Sequence, residues 1–172
     1  MVAVIDKDVK QIRRQVFSTE IKEFFNRDNV FRDEKHMTDY IYDNIDLFFN
    51  DIICSNEKII EARKEYPIKK YINQSGKRNI RFDLYIKTKE NEYIIELKNP
   101  RTKGSTGVYS QLRNSIVQCM TYKMYKPDAK IFLVSTLWDD IVFELINYYG
   151  LDINFILFNK EYTAYMSRDN TN

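Results

Sequence analysis

An α/β fold with a mixed central sheet flanked by helices is predicted by three features of the 172-residue sequence. Segments of helical periodicity alternate with short β-rich runs in the order ααβββαβαβ. Two of those runs, Ile80 to Lys87 and Glu92 to Lys98, are joined by the polar stretch TKENE and read as a β-hairpin. The compact run KIFLVST, between two helical segments, has the composition of a strand buried on both faces.

The elements follow in order. Residues 7–26 place Ile12, Val16, Phe17, Ile21, Phe24 and Phe25 near helical spacing. A second helix is expected from about Asp33 to Ile53, its apolar stripe carried by Met37, Tyr40, Ile41, Ile45, Phe48 and Phe49, with Asn44 in line. EYPIKKYI reads as a strand, and NQSGK supplies the turn before the hairpin's first strand. In the hairpin, alternation sets Phe82, Leu84 and Ile86 on one face and Asp83, Tyr85 and Lys87 on the other. Asn99-Pro100 stops the second hairpin strand, since proline has no N–H for the ladder. The glycine-containing stretch RTKGSTG forms a loop. A helix from about Tyr109 to Tyr125 closes before Pro127, and one from Asp139 to Tyr149 stops at Gly150. INFILFN is read as the last strand and SRDNTN as a frayed tail. The length suits one domain, residues 1–172, with a core over about 34–160, an N-terminal helix within 1–30 and the tail at 167–172.

Composition narrows the chemistry. Hydrophobic residues make up 44% and charged residues 30%, a globular balance. No apolar run is long enough to span a bilayer, and the N-terminus lacks a secretory core, so an intracellular, cytoplasmic protein is expected. The two cysteines, Cys54 and Cys119, do not form a CxxC pair, and His36 is the single histidine. That argues against a His/Cys zinc site and against His-dependent hydrolases, and for His36 as a surface residue. Any metal would be held by carboxylates, which favours Mg²⁺, with Mn²⁺ as substitute. The formal net charge is only +2, but basic residues gather at Lys69, Lys70, Lys77, Arg78 and Arg81, and again at Arg101 and Lys103. Acidic residues dominate the stretch from Asp39 to Asp51. The Lys-, Ile-, Asn- and Tyr-rich, glycine-poor composition suggests an AT-rich genome, such as that of a virus or mobile element.

One constellation carries chemistry. Alternation in the hairpin brings Asp83, Glu96 and Lys98 to one side of an otherwise apolar layer. Two carboxylates there are costly unless paired, and a divalent cation pairs them economically. Such an ion activates water and polarises a phosphoryl oxygen. The adjacent ammonium can orient or deprotonate that water, or stabilise charge as a phosphodiester is attacked. The carbonyl of Leu97 offers a further oxygen ligand. A plain salt-bridged hairpin is the competing reading of the same residues.

IRFDLYIKTKENEYIIELKNP resembles motifs II and III of the PD-(D/E)XK nuclease superfamily, with Asp83 in the aspartate position and Glu96-Leu97-Lys98 as the (D/E)xK element. Phe82 stands where that family usually has proline. EKHMTDYIYDNIDLFF resembles the family's first helix, which implies a metal-facing role for Glu34, with Asp39 as the fallback. QCMTYKMY resembles the QxxxY element, which implies that Gln118 and Tyr122 meet the substrate phosphate or brace the lysine; Gln111 competes with Gln118. The resemblance covers about Glu34 to Thr136 and implies a restriction-endonuclease-like three-layer core.

It further implies a Mg²⁺-dependent deoxyribonuclease, with DNA as partner and Arg78, Arg81, Arg101 and Lys103 as candidate phosphate contacts. Lack of a separate sequence-reading domain favours structure-selective cutting of junctions, flaps or ends; a junction cutter would act as a homodimer. Tyr42, Phe48, Phe49, Tyr148 and Tyr149 are candidates for exposed aromatic patches, most of them expected in the core. The alternative from another class is a non-catalytic nucleic-acid-binding or assembly module that retains the fold.

Overall fold

The structure, a computed structural model, describes residues 31–53, 55–73, 76–100, 106–137, 139–158 and 163–166. The expected N-terminal helix, most of the RTKGSTG loop and the SRDNTN tail lie outside the described residues.

Helix α1 (Glu34–Asp43) begins where Asp33, in extended backbone, accepts a 2.7 Å hydrogen bond from the His36 N–H. That cap satisfies a donor the first helical turn leaves open. The helix does not run unbroken to Ile53 as expected. Asn44 leaves helical geometry (φ −117°, ψ 33°), and its side-chain amide donates to the Tyr40 carbonyl at 2.8 Å. Asparagine competes in this way with the backbone ladder. A short turn α2 (Ile45–Leu47) then runs into a π-helical turn over Phe48–Ile52, which carries Phe48, Phe49 and Ile52 into the core. Phe48 and Phe49 are therefore interior, whereas Tyr148 and Tyr149 stand exposed.

Six strands form one mixed sheet in the order β1-β2-β3-β4-β5-β6. Strands β1 (Glu61–Asn73), β2 (Gly76–Lys87) and β3 (Glu92–Lys98) are antiparallel, and the β2–β3 register pairs Leu84 with Ile95 and Lys87 with Glu92. The predicted hairpin is present, and both β1 and β2 extend beyond the predicted segments. Helix α3 (Thr106–Tyr125) crosses to β4 (Lys130–Ser135), and α4 (Asp140–Tyr148) crosses to β5 (Ile153–Phe158). Strands β3, β4 and β5 run parallel, as such helical crossovers require. The end of α4 is set by Gly150 at φ 60°: its N–H reaches the Asn147 carbonyl and that of Leu151 reaches the Ile146 carbonyl. This is the Schellman pattern, which glycine adopts without steric cost.

INFILFN is not the last strand. Strand β6 (Thr163–Met166) pairs antiparallel with β5 at the sheet edge. Four residues without a turn signature or long apolar run leave little period to detect.

Two apolar layers pack on the sheet. One joins Tyr85, Ile94, Ile131 and Leu133 to Leu112, Ile116 and Cys119 of α3 and to Val142 and Ile146 of α4. The other joins Leu84, Ile86, Ile95, Leu97 and Val134 to Met37 and Ile41 of α1 and to the π turn. Strict alternation fails at one position. Phe82 packs with Tyr85 and the α3 side instead of with Leu84 and Ile86, stacking beside Tyr66 and meeting Tyr122 edge-on at 4.9 Å. Among the described residues, no helix is long and apolar enough to cross a membrane.

Candidate active site

The C-terminal end of β3 gathers the charged residues. Glu96 is 1% exposed, and its Oε1 lies 2.6 Å from the Lys98 Nζ. Its Oε2 accepts a 2.6 Å hydrogen bond from the hydroxyl of Tyr122, on the buried face of α3. From β2, Asp83 turns its Oδ2 to the Leu97 N–H at 2.7 Å. Glu34, the first residue of α1, reaches Lys98 from the other layer, with 3.5 Å between Oε1 and Nζ. Asp83, Glu96, Lys98 and Glu34 thus meet at the junction of β2, β3 and α1.

Burial and charge set the protonation states. Burial, reinforced by the Glu96 charge, pushes the Asp83 carboxyl up to about 8, against the opposing pull of Lys98 and the Leu97 N–H. Burial works against the Lys98 ammonium, but the charges of Glu96, Asp83 and Glu34 outweigh it and raise its pKa. The direction of that shift keeps Lys98 charged in the metal-free arrangement. The Tyr122 hydroxyl is raised by burial and by Glu96, so it remains a donor. Cys119, fully buried beneath the cluster, has its thiol pushed well up by burial and is no nucleophile.

Among the described residues, no group of three or more His, Cys, Asp and Glu side chains stands ready to hold a metal ion. The pair Asp83 and Glu96 still has the donor chemistry for a hard cation. Among the described residues nothing donates to the second oxygen of Asp83, whose half-buried carboxyl lies beside another carboxylate. Leu97 contributes its N–H to Asp83.

Other sequence candidates fall differently. Asp39, the fallback for Glu34, is engaged by Lys64 at 2.7 Å and Lys35 at 3.7 Å, so Glu34 is the one that reaches Lys98. Gln118 is exposed on α3, as is Gln111, whereas Tyr122 is buried; Gln118 and Tyr122 do not form a half-buried pair. Arg81 is exposed, 3.4 Å from Glu65. Arg78 is described only as a backbone position in β2, paired with Tyr71, while Arg101 and Lys103 lie outside the described residues. His36, half-buried at the start of α1, accepts at its Nδ1 from the Arg32 N–H at 3.0 Å, and its ring meets Phe31 edge-on.

Asn99 is a residue sequence reasoning missed, having been read only as a strand stop. It is 6% exposed; its amide donates to the Phe31 carbonyl at 3.1 Å and its oxygen accepts from the Thr136 hydroxyl at 2.9 Å. It ties the lead-in to α1, and hence Glu34, to the strand ends carrying Lys98. An asparagine before proline carries no sequence mark of such a bond. Asn99→Ala removes both hydrogen bonds and is expected to lower stability by about 1–3 kcal/mol, read by urea denaturation; an unchanged midpoint removes the brace.

The chain matches no family model, no curated protein and no solved structure.

Proposed function

We propose that the chain is a metal-dependent nuclease of the PD-(D/E)XK type, with a restriction-endonuclease-like core, that hydrolyses phosphodiester bonds in DNA. The observation that carries the reading is the meeting of half-buried Asp83 and Lys98 with buried Glu96, with one oxygen of Asp83 left without a donor among the described residues. Asp83 and Glu96, with Glu34 at the margin, would hold Mg²⁺ or Mn²⁺; such an ion lowers the pKa of a bound water and polarises a phosphoryl oxygen.

The chain's own residues do the rest. The Leu97 N–H fixes the Asp83 carboxyl group, and Tyr122 fixes one oxygen of Glu96. Lys98 presents its ammonium to the negative charge that grows on the attacked phosphorus group. Gln118 and Arg81, both exposed, are proposed as contacts to substrate phosphates, together with Arg78, Arg101 and Lys103.

The test supplies Mg²⁺ or Mn²⁺ with single-stranded, duplex, flap and four-way DNA, using chelator and Glu96→Gln as controls. Cleavage by the wild type alone, abolished by chelator, is the expected result. Stable DNA binding with no cut on any substrate would point instead to a non-catalytic binding module.

A further inference from the structure

The β1–β2 hairpin is longer than the sheet needs. Strand β2 pairs with β3 only over Leu84–Lys87, yet its pairing with β1 continues to Gly76 opposite Asn73. Among the described residues, the part of β2 before Leu84 has β1 as its sole strand partner. Tyr66, Ile68 and Ile80 still pack on the α3-side core, so among the described residues the segment beyond them is a ribbon two strands wide. The register shifts between Pro67 and Lys69, where the core-packed base meets the ribbon. Such a bulge bends and twists a strand pair.

The ribbon's charge is one-sided. From Lys69 to Arg81 the sequence carries Lys69, Lys70, Lys77, Arg78 and Arg81, and neither Asp nor Glu. At its base Arg81 meets Glu65 at 3.4 Å. At about 3.3 Å per residue, the strand from Asp83 to Gly76 covers on the order of 20 Å. A two-stranded ribbon is an element that the major groove of B-form DNA, roughly 12 Å wide, admits. The major groove of an A-form RNA duplex is too narrow and deep for it, and a single strand has no groove.

We propose that the β1–β2 ribbon enters the major groove of duplex DNA and seats that duplex against the Asp83 site. The inference rests on the nuclease reading and deepens it, by making B-form duplex the substrate that the molecule selects. The strand carrying Asp83 is the strand that continues into the ribbon, so groove entry and phosphodiester placement are coupled through one segment of backbone.

The test is binding without catalysis. In chelator, the wild type is titrated by fluorescence anisotropy with a labelled DNA duplex, the corresponding RNA duplex and a single DNA strand, across a range of salt. The same is done for a variant combining Lys69→Gln, Lys70→Gln, Lys77→Gln and Arg78→Gln. The wild type is expected to bind duplex DNA at least about tenfold more tightly than either other nucleic acid. In the variant, the slope of log affinity on log salt for duplex DNA should fall by about 3.6, the loss expected for four phosphate contacts. Its unfolding temperature and its Mg²⁺-induced thermal shift should match the wild type.

Equal wild-type affinity for RNA duplex or single strand overturns the proposal, and that comparison needs no variant. An unchanged salt slope in a folded variant overturns it too; if the wild type still cuts DNA, the nuclease reading survives. Ribbon-dependent duplex binding by a wild type that cuts nothing supports the ribbon and refutes the nuclease.

Discussion

Lys98→Met is expected to reduce Mg²⁺-dependent cleavage by about a hundredfold or more, the usual loss when a group that stabilises transition-state charge is removed. It should also destabilise the metal-free protein. Glu96 is 1% exposed and depends on the ammonium 2.6 Å away for its countercharge. Breaking a buried pair from one side costs about 3–5 kcal/mol, because the remaining charge stays buried alone. Two further measurements separate the roles of the lysine. Millimolar Mg²⁺ should restore much of the lost thermal stability without restoring cleavage, since a second cation can replace the countercharge. Combining Lys98→Met with Glu96→Gln should recover metal-free stability, because both charges are then gone, while activity stays absent. Retained cleavage in Lys98→Met would remove the lysine from the chemistry.

Asp83 predicts an inverted pH response. Its carboxyl is raised to about 8 in the fold from an ordinary 3.8. Between those values the folded chain keeps a proton that the unfolded chain has released, so stability falls as pH rises through the window. Its contribution is fully present below about pH 4 and lost by about pH 8, on the order of 5 kcal/mol at 1.36 kcal/mol per pH unit. Glu57 acts in the opposite sense. Burial opposes its charge, but hydrogen bonds from Thr88, Tyr93 and Asn91 win and bring it to about 2, so its stabilisation is lost as pH falls. Asp83→Asn isolates the first effect. In chelator, the wild type should lose stability relative to Asp83→Asn steadily from pH 4 to 8. Mg²⁺ should flatten the wild-type curve by displacing the proton and leave the variant's curve nearly unchanged. A parallel pair of metal-free curves would show that Asp83 titrates normally.

The hairpin, the parallel crossovers and the alternation that sets Asp83, Glu96 and Lys98 together are legible in the sequence because each rests on a short, regular period. What escapes is decided by tertiary contacts. Asn44 is a weak local mark of a helix break, through its amide's bond to the Tyr40 carbonyl, but the π turn after it rests on the seating of Phe48 and Phe49 in the core. Phe82 defies alternation because Tyr66 and Tyr122 supply its aromatic partners from elsewhere in the chain. At the site, the lysine and carboxylates are marked by type and spacing. The N–H of Leu97, which holds Asp83, and the side chain of Asn99, which holds the approach to α1, are not.

The two ends of β3 are pinned by different means. At its start, Glu57 takes hydrogen bonds from Asn91 at 2.7 Å and from Tyr93 at 2.5 Å, and pairs also with Thr88. Just past its end, Asn99 is fastened to Phe31 and Thr136. Between them the strand is paired with β2 over Glu92–Ile95 and with β4 over Tyr93–Lys98, and apolar layers lie above and below. Such a strand has no frayed end from which to peel, so its central amides exchange with solvent only when the whole molecule opens. Any adjustment to a bound partner then falls to the elements around it, with Glu96 and Lys98 as the fixed reference against which they move.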